Sequence, residues 1–95
     1  MSKLLLIDDE EDVQYSFRRI FSTPDIELTT ASSGEEGLKL IPKLKPDLVL
    51  MDIRMGGMNG LETLRRIRQM ESRLLVILMT AITITTRASF NFLTK

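Results

Sequence analysis

The chain contains no cysteine and no histidine. Without cysteine there is no disulfide framework and no thiolate metal site, and without histidine there are no imidazole ligands and no histidine-based catalysis. Any chemistry must therefore use carboxylates, hydroxyls and amines.

The sequence also lacks an excess of charge of either sign and a long apolar run near its start. Its 13 basic residues balance its 13 acidic ones, so the net charge predicts neither nucleic-acid nor membrane binding. The first apolar run, Leu4 to Ile7, is too short for a signal-peptide core or a membrane span. We therefore expect a cytoplasmic protein.

The 95 residues, of which 43% are hydrophobic, fit one small α/β domain over residues 1–95. Unbroken apolar runs at 4–7, 48–51 and 74–79 are typical of parallel strands covered on both faces, and a more alternating run at 26–30 predicts a strand nearer an edge. Apolar residues with helical spacing lie between these runs, namely Val13, Phe17, Ile20 and Phe21 on one predicted face and Leu61, Leu64, Ile67 and Met70 on another. This alternation predicts an open, doubly wound parallel sheet.

Two predicted helices begin with capping signals. The pairs with capping-box spacing are Ser33 with Glu36 and Asn59 with Glu62. The second helix, over about 34–43, contains Pro42, which removes a backbone donor and disfavours helical geometry at the preceding residue. We expect this helix to end or bend at Pro42.

Polar side chains follow three of the predicted strands. Asp8 and Asp9 follow the first, Asp52 follows the third and Thr80 follows the fourth. The carboxyl ends of parallel strands share one edge of the sheet, so these residues should converge. Two carboxylates about 4 Å apart repel by roughly 4 kcal/mol at an effective dielectric near 20, and a hard divalent cation would relieve this repulsion. The pattern favours Mg²⁺.

Each of these residues also has an ordinary structural interpretation. The acidic pair could cap a helix that begins near Glu11 and favour its positive end. Asp52 could be a loop carboxylate, and Thr80 could be a β-branched strand residue with a satisfied hydroxyl. The functional interpretation is favoured because all of them fall at strand carboxyl ends.

Several motifs resemble the receiver domain of bacterial two-component response regulators, over essentially residues 2–81 and again at the C-terminus. They are LLIDDE at 5–10, ASSGEEGL at 31–38, PDLVLMDIRM at 46–55, MNGLE at 58–62 and MTA at 79–81. The resemblance implies a flavodoxin-like doubly wound parallel sheet with strand order 2-1-3-4-5. It also implies a signalling domain that assists its own phosphorylation and dephosphorylation and is not a conventional enzyme.

The resemblance assigns roles to individual residues. Asp52 would be the nucleophile that accepts a phosphoryl group from a sensor histidine kinase. Asp8 or Asp9, together with Asp52, would hold Mg²⁺ with help from the backbone carbonyl of Arg54.

The resemblance also implies a switch. Thr80 would bind the phosphoryl group, and the small Ala81 would let the backbone approach it. In the terminal sequence FLTK at 92–95, Phe92 would be the switch aromatic and Lys95 the phosphate partner. The alternatives are a core phenylalanine and an ordinary solvated lysine.

The sequence departs from the family in its last third. Nine residues, Ala81 to Ser89, separate Thr80 from Phe90, which is fewer than the about 10 to 12 of a normal crossover. The fourth and fifth helices are therefore expected to be missing or not formed, and the domain incomplete at its C-terminal end, through a deletion, a truncation or omitted residues. Gly56 stands where the family commonly has proline.

These departures lead to further expectations. If the chain is complete, the uncovered sheet face and the last strand form an apolar surface, which predicts a homodimer, a strand-exchanged dimer or aggregation. The alternative to a phosphoacceptor is a receiver-like interaction scaffold that no longer switches. A third interpretation, a Mg²⁺-dependent phosphohydrolase, fits less well, because that chemistry wants a second aspartate two residues after the nucleophile, and Arg54 stands there.

Overall fold

A computed structural model of the protein describes residues 1–79. Within residues 1–79, strands and helices alternate as seven elements: β1 (Ser2–Ile7), α1 (Glu11–Ile20), β2 (Ile26–Ala31), α2 (Gly34–Leu44), β3 (Leu48–Asp52), α3 (Gly60–Met70) and β4 (Leu75–Met79). The predicted fifth strand, and the expectation that the fourth and fifth helices are missing or not formed, concern residues outside the described ones.

The four strands form one parallel sheet in the order β2-β1-β3-β4. The predicted α/β class and the order of its first four strands are therefore confirmed. β2 lies at an edge, as its alternating sequence indicated, and β1 and β3 occupy the centre.

Helices pack on both faces of the sheet. One hydrophobic cluster joins Leu5 and Ile7 of β1 to Ile41 of α2 and Ile67 of α3. The other joins Leu4 and Leu6 of β1 to the aromatic residues at the end of α1. Because successive side chains of a strand point to opposite faces, β1 contributes to both clusters and is buried from Leu4 onwards.

The predicted buried face of α1 is partly wrong. Val13 and Phe17 pack inwards, but Ile20 is exposed and Gln14 is buried. Gln14 donates to the carbonyl oxygen of Asp8 at 2.7 Å and to Ser32 Oγ at 3.1 Å. These hydrogen bonds satisfy the side-chain amide nitrogen of Gln14, so this polar residue can be buried. The buried face of α1 therefore includes Gln14 and does not include Ile20.

The predicted face of α3 is also partly wrong, because Leu61 and Met70 are exposed. Small residues take the inward positions of the first turn. A Cβ on Gly60 would lie 2.6 Å from the carbonyl oxygen of Asp52, and a Cβ on Gly34 of α2 would collide with Thr63. The start of α3 therefore approaches β3 and α2 too closely for a large apolar side chain.

The helix starts agree with the sequence, but the end of α2 does not. Ser33 Oγ accepts from Glu36 N at 3.1 Å, and Asn59 Oδ1 accepts from Glu62 N at 2.9 Å. Of the two expected outcomes at Pro42, an end to the helix is wrong, since α2 continues for two more residues, and a bend stays a prediction. The proline is exposed in the last turn, where the backbone N–H of Lys45 still donates to the carbonyl of Ile41.

One side of β4 is open to solvent. Leu75 and Ile77 are 60% and 46% exposed. They share the sheet face of Met79, which packs with the cluster beside α1. Over the described part of the chain, no helix combines the length and the apolar character needed to cross a membrane.

Candidate functional site

Three carboxylates meet at the carboxyl edge of the sheet. Asp8, Asp9 and Asp52 each offer an oxygen that lies within 4.8 Å of the oxygens of the other two. The sheet register explains this meeting, because Ile7 of β1 pairs with Met51 of β3 and the next residue of each chain segment is an aspartate. The prediction that these residues converge is confirmed.

Asp8 is the most deeply buried of the three, at 1% exposure. Its Oδ1 accepts from the backbone N–H of Glu10 at 2.9 Å, while Oδ2 is buried without a hydrogen-bond partner among residues 1–79. Burial raises the pKa of Asp8 to about 6, the Glu10 amide opposes this rise, and the negative charge of Asp52 adds to it.

Asp52 and Asp9 each accept a backbone hydrogen bond from the loop that follows β3. Asp52 is 2% exposed, and its Oδ1 accepts from the N–H of Arg54 at 3.0 Å. Asp9 is exposed, and its Oδ2 accepts from the N–H of Gly56 at 3.0 Å. The acidic cluster is thus bound to the backbone of both loops that surround it.

The cluster does not cap α1. The N-cap residue is Glu10, whose own side chain makes no capping hydrogen bond. Asp8 accepts from the N-cap amide itself, and Asp9 reaches across to the other loop. The acidic pair therefore does not supply a side-chain cap for α1, while its favourable charge near the positive end of the helix stays an expectation.

The donor set fits a hard divalent cation. All three side chains offer oxygen, which is the ligand type that Mg²⁺ prefers. The buried Asp8 Oδ2 has no donor among the described residues, and such an atom is costly unless a cation or a proton neutralises it. The residues present are thus suited to the ion that the sequence pattern favours.

Two residues that support the acidic cluster could not be identified from the sequence. Gln14 fixes the backbone at Asp8 by donating a hydrogen bond to the carbonyl oxygen of Asp8. In the sequence, the only feature that could have indicated this role is a polar residue among the apolar positions of α1. Gly60 admits α3 to the backbone after Asp52, and its N–H donates to the carbonyl of Ile53 at 2.9 Å. That close approach has no signal beyond the glycine itself.

Four predicted site residues, Thr80, Ala81, Phe92 and Lys95, lie outside the described residues. The last described residue is Met79, which pairs with Asp52 in the sheet. Arg54 is described, and its backbone N–H bonds Asp52. The metal-binding role of its carbonyl stays a prediction.

A cavity of about 630 Å³ lies away from the carboxylates, between the C-terminal ends of α2 and α3. Pro42, Pro46, Glu71 and Leu74 are among its lining residues, and none of the three clustered aspartates lines it. Charged residues of both signs line this cavity, namely Lys45, Asp47, Glu71 and Arg73, whereas the three clustered aspartates meet at the carboxyl edge of the sheet.

Comparison with known proteins agrees with this geometry. The sequence profile described as response regulator receiver domain matches residues 4–90. Regulatory protein AtoC of Escherichia coli K12 is 40% identical over 81 residues, which are 85% of this chain and 18% of AtoC. Sporulation initiation phosphotransferase F of Bacillus subtilis is 33% identical over 79 residues, which are 83% of this chain and 64% of that protein. The chain therefore spans less than two thirds of either relative.

Solved structures are similar as well. The response regulator protein TrrA of Thermotoga maritima, in complex with Mg²⁺-BeF, superimposes with a TM-score of 0.79 at 32% identity and covers 95% of this chain and 80% of its own. The N-terminal domain of a response regulator receiver protein from Methanoculleus marisnigri gives a TM-score of 0.80 at 33% identity, over 97% of this chain and 76% of its own.

Proposed function

The chain belongs to the response regulator receiver domain family, whose members are signalling domains of two-component systems, and on that premise we propose that it accepts a phosphoryl group on Asp52 from a sensor histidine kinase. The observation that carries the proposal is the meeting of three carboxylates, two of them buried, at the ends of the two central strands.

We assign Asp52 as the nucleophile because it ends the central strand β3 and because a backbone N–H holds one of its oxygens. Its Oδ1 is held by the N–H of Arg54, which fixes the carboxylate and leaves Oδ2 for attack. Oδ2 would form a bond to phosphorus as the bond between phosphorus and the imidazole nitrogen of the kinase breaks. The product is an acyl phosphate, and the imidazole leaves as the neutral base, keeping the proton already carried by its other ring nitrogen.

Asp8, Asp9 and Asp52, with the carbonyl of Arg54, are the groups that would hold Mg²⁺. When bound, the ion would offset the negative charge of the carboxylates and of the transferring phosphoryl oxygens. The buried Oδ2 of Asp8, which has no partner among residues 1–79, supports this assignment. We assign Asp8 and Asp9 to the metal, and not to nucleophilic attack, because the family resemblance places the nucleophile at Asp52.

The test is phosphorylation by small donors, followed by intact mass. The 95-residue protein is incubated with Mg²⁺ and acetyl phosphate, or with phosphoramidate to represent a phosphorus–nitrogen bond. We expect a gain of one phosphoryl group that is lost in Asp52→Asn and when EDTA removes the metal. Asp25→Asn, an exposed aspartate outside the cluster, is the matched control and should gain the group normally.

A gain that survives Asp52→Asn would contradict the assignment of the nucleophile. No gain by a protein whose circular dichroism shows an intact fold would favour the interaction scaffold, in which the same carboxylates are present but do not react.

A further inference from the structure

The cavity at the C-terminal ends of α2 and α3 has the size of a small-molecule site. Its volume of about 630 Å³ lies within the range of about 300 to 1,000 Å³ that is common for such sites. We propose that it binds a free medium-chain carboxylic acid, with the alkyl chain inside the cavity and the carboxylate held by Lys45 and Arg73. This inference goes beyond the proposed function, because none of the clustered aspartates lines the cavity.

The sheet register places two loops side by side at this cavity. Leu48, at the start of β3, pairs with Leu75, at the start of β4, so the loops that lead into these strands are neighbours. Lys45 belongs to the loop between α2 and β3, and Arg73 belongs to the loop between α3 and β4. Because both residues line the cavity, a ligand in it can reach a cation on either loop.

The cavity has an apolar lining. Ile41 is 2% exposed, Pro46 is buried and Leu74 is half-buried, and Pro42 adds a further apolar surface. An alkyl chain that packs against these residues is removed from water. Each methylene group that becomes fully buried can tighten binding by up to about four-fold.

The charges of the lining favour an anion. Lys45 and Arg73 are exposed, and neither takes part in an ion pair within residues 1–79, where the ion pairs lie on α3. The carboxylate of Asp47 is engaged with β1, since its Oδ2 accepts a backbone N–H of that strand at 2.7 Å. The two cations therefore outnumber the remaining lining carboxylate, that of Glu71, and a ligand carboxylate would balance them.

The backbone of Lys45 is fixed in an unusual conformation. Lys45 follows α2 with a left-handed φ of 50°, and its N–H donates to the carbonyl oxygen of Ile41 at 2.9 Å. Glycine is the usual residue at such a helix end, because a side chain there is strained. A binding role for the lysine would explain why a cation occupies this strained position.

The test is an NMR titration of the 95-residue protein with sodium octanoate in the absence of Mg²⁺. We expect saturable changes in the amide shifts of Lys45, Arg73 and Leu74. Butyrate should bind more weakly because its shorter chain buries less apolar surface. Octanamide, which lacks the charge, should bind about two- to five-fold more weakly. Acetyl-dileucine, which carries a free carboxylate on a peptide, should bind no more tightly than octanoate.

Matched variants test the two cations. Lys45→Asn and Arg73→Gln each remove one charge, and asparagine tolerates the left-handed conformation. We expect each variant to raise the Kd for octanoate by about two- to five-fold, and the double variant to raise it by about ten-fold. Lys43→Gln is the control, because Lys43 is an exposed residue of the same helix that does not line the cavity. Thermal melts compare the folding of all four variants with the wild type.

Several results would overturn the inference. They are the absence of a saturable shift, equal affinities for octanoate and octanamide, tighter binding of acetyl-dileucine, and shifts that centre on Ile77 of the exposed side of β4. Asp52→Asn should bind octanoate as the wild type does. A failure of this binding and a failure of phosphorylation are therefore separate results.

Discussion

Asp8 combines burial with an unfavourable charge, and this combination should govern the stability of the metal-free protein. Its pKa is raised from 3.8 to about 6, first by burial and further by the charge of Asp52. The folded state therefore binds the proton more tightly than the unfolded state does. This contribution is fully present below about pH 4 and is lost as the pH rises through 6.

We expect Asp8→Asn to remove this pH dependence. Without Mg²⁺, the variant should be more stable than the wild type at pH 7.5, by on the order of 2 kcal/mol, because no buried charge forms. Near pH 4 the two proteins should be about equally stable. Urea denaturation in EDTA from pH 4 to 8 measures the difference, with Asp25→Asn as a control for losing an exposed charge. Parallel curves for the wild type and Asp8→Asn would contradict the expectation.

Gly60→Ala should destabilise the protein although alanine is the better helix former. The added Cβ would lie 2.6 Å from the carbonyl oxygen of Asp52 and 2.7 Å from Ile53 Cα, and neither backbone atom can rotate away. Overpacking of this kind costs about 1 to 3 kcal/mol, against a gain of about 1 kcal/mol in helix propensity. We expect a net loss of up to about 2 kcal/mol in chemical denaturation. Gly56→Ala, whose added Cβ would meet nothing nearer than Asp9 Oδ2 at 3.8 Å, is the matched control, and equal losses in the two variants would refute the steric argument.

At the scale of the elements, the first turn of α3 depends on its cap. Asn59 Oδ1 satisfies the N–H of Glu62, while the Glu62 carboxylate accepts from Arg65 and Arg66 on the exposed surface. The hydrogen bonds from the two arginines, that of Arg65 first, lower the pKa of Glu62 to about 2. Glu62 is therefore engaged with the helix surface and does not complete a capping box.

We expect Asn59→Ala to lower the free energy of unfolding by about 1 kcal/mol, since one helix N–H loses its acceptor. Asn59→Asp keeps an acceptor at the cap and should stay close to the wild type. Urea denaturation compares the three proteins. If Asn59→Ala unfolds at the wild-type midpoint, the cap contributes nothing to stability.

The elements themselves could be predicted from the sequence, but the surfaces they bury could be predicted only in part. The sequence contains continuous apolar runs at Leu4 to Ile7 and at Leu48 to Met51, and runs of this kind predict buried strands. The face of α1 could not be predicted, because the burial of Gln14 depends on the carbonyl of Asp8 being within reach. The extension of α2 beyond Pro42 depends on the bonds of its last turn.

The candidate site, too, could be predicted from the sequence only in part. Asp8 and Asp52 could be placed together, since parallel register carries them to one edge of the sheet. The hydrogen bond from Gly56 to Asp9 could not, because it depends on the path of a loop backbone. The roles of Thr80 and Lys95 stay predictions, and both residues lie outside the described residues.

At the scale of the whole molecule, the exposed side of β4 is where self-association would begin. Leu75 and Ile77 present apolar side chains to solvent, and the sequence led us to expect a dimer. Light scattering across a concentration series should therefore show a mass that rises above that of the monomer. Ile77→Thr, which keeps a β-branched residue for the strand, should shift this rise to higher concentration. A wild type that stays monomeric at high concentration would contradict the dimer.

The central position of β1 and β3 has a consequence for how long the acidic site persists. Local openings of a protein begin at edges and loops, and covered central strands open only when the whole domain does. Asp8 and Asp52 stand at the ends of those two strands. The fraying of an outer helix will leave both in place, but the backbone N–H of Asp8 donates to the carbonyl of Ala31 in the edge strand β2. Asp52, the last residue of β3, should therefore share the lifetime of the native state, whereas Asp8 should loosen earlier, whenever β2 frays.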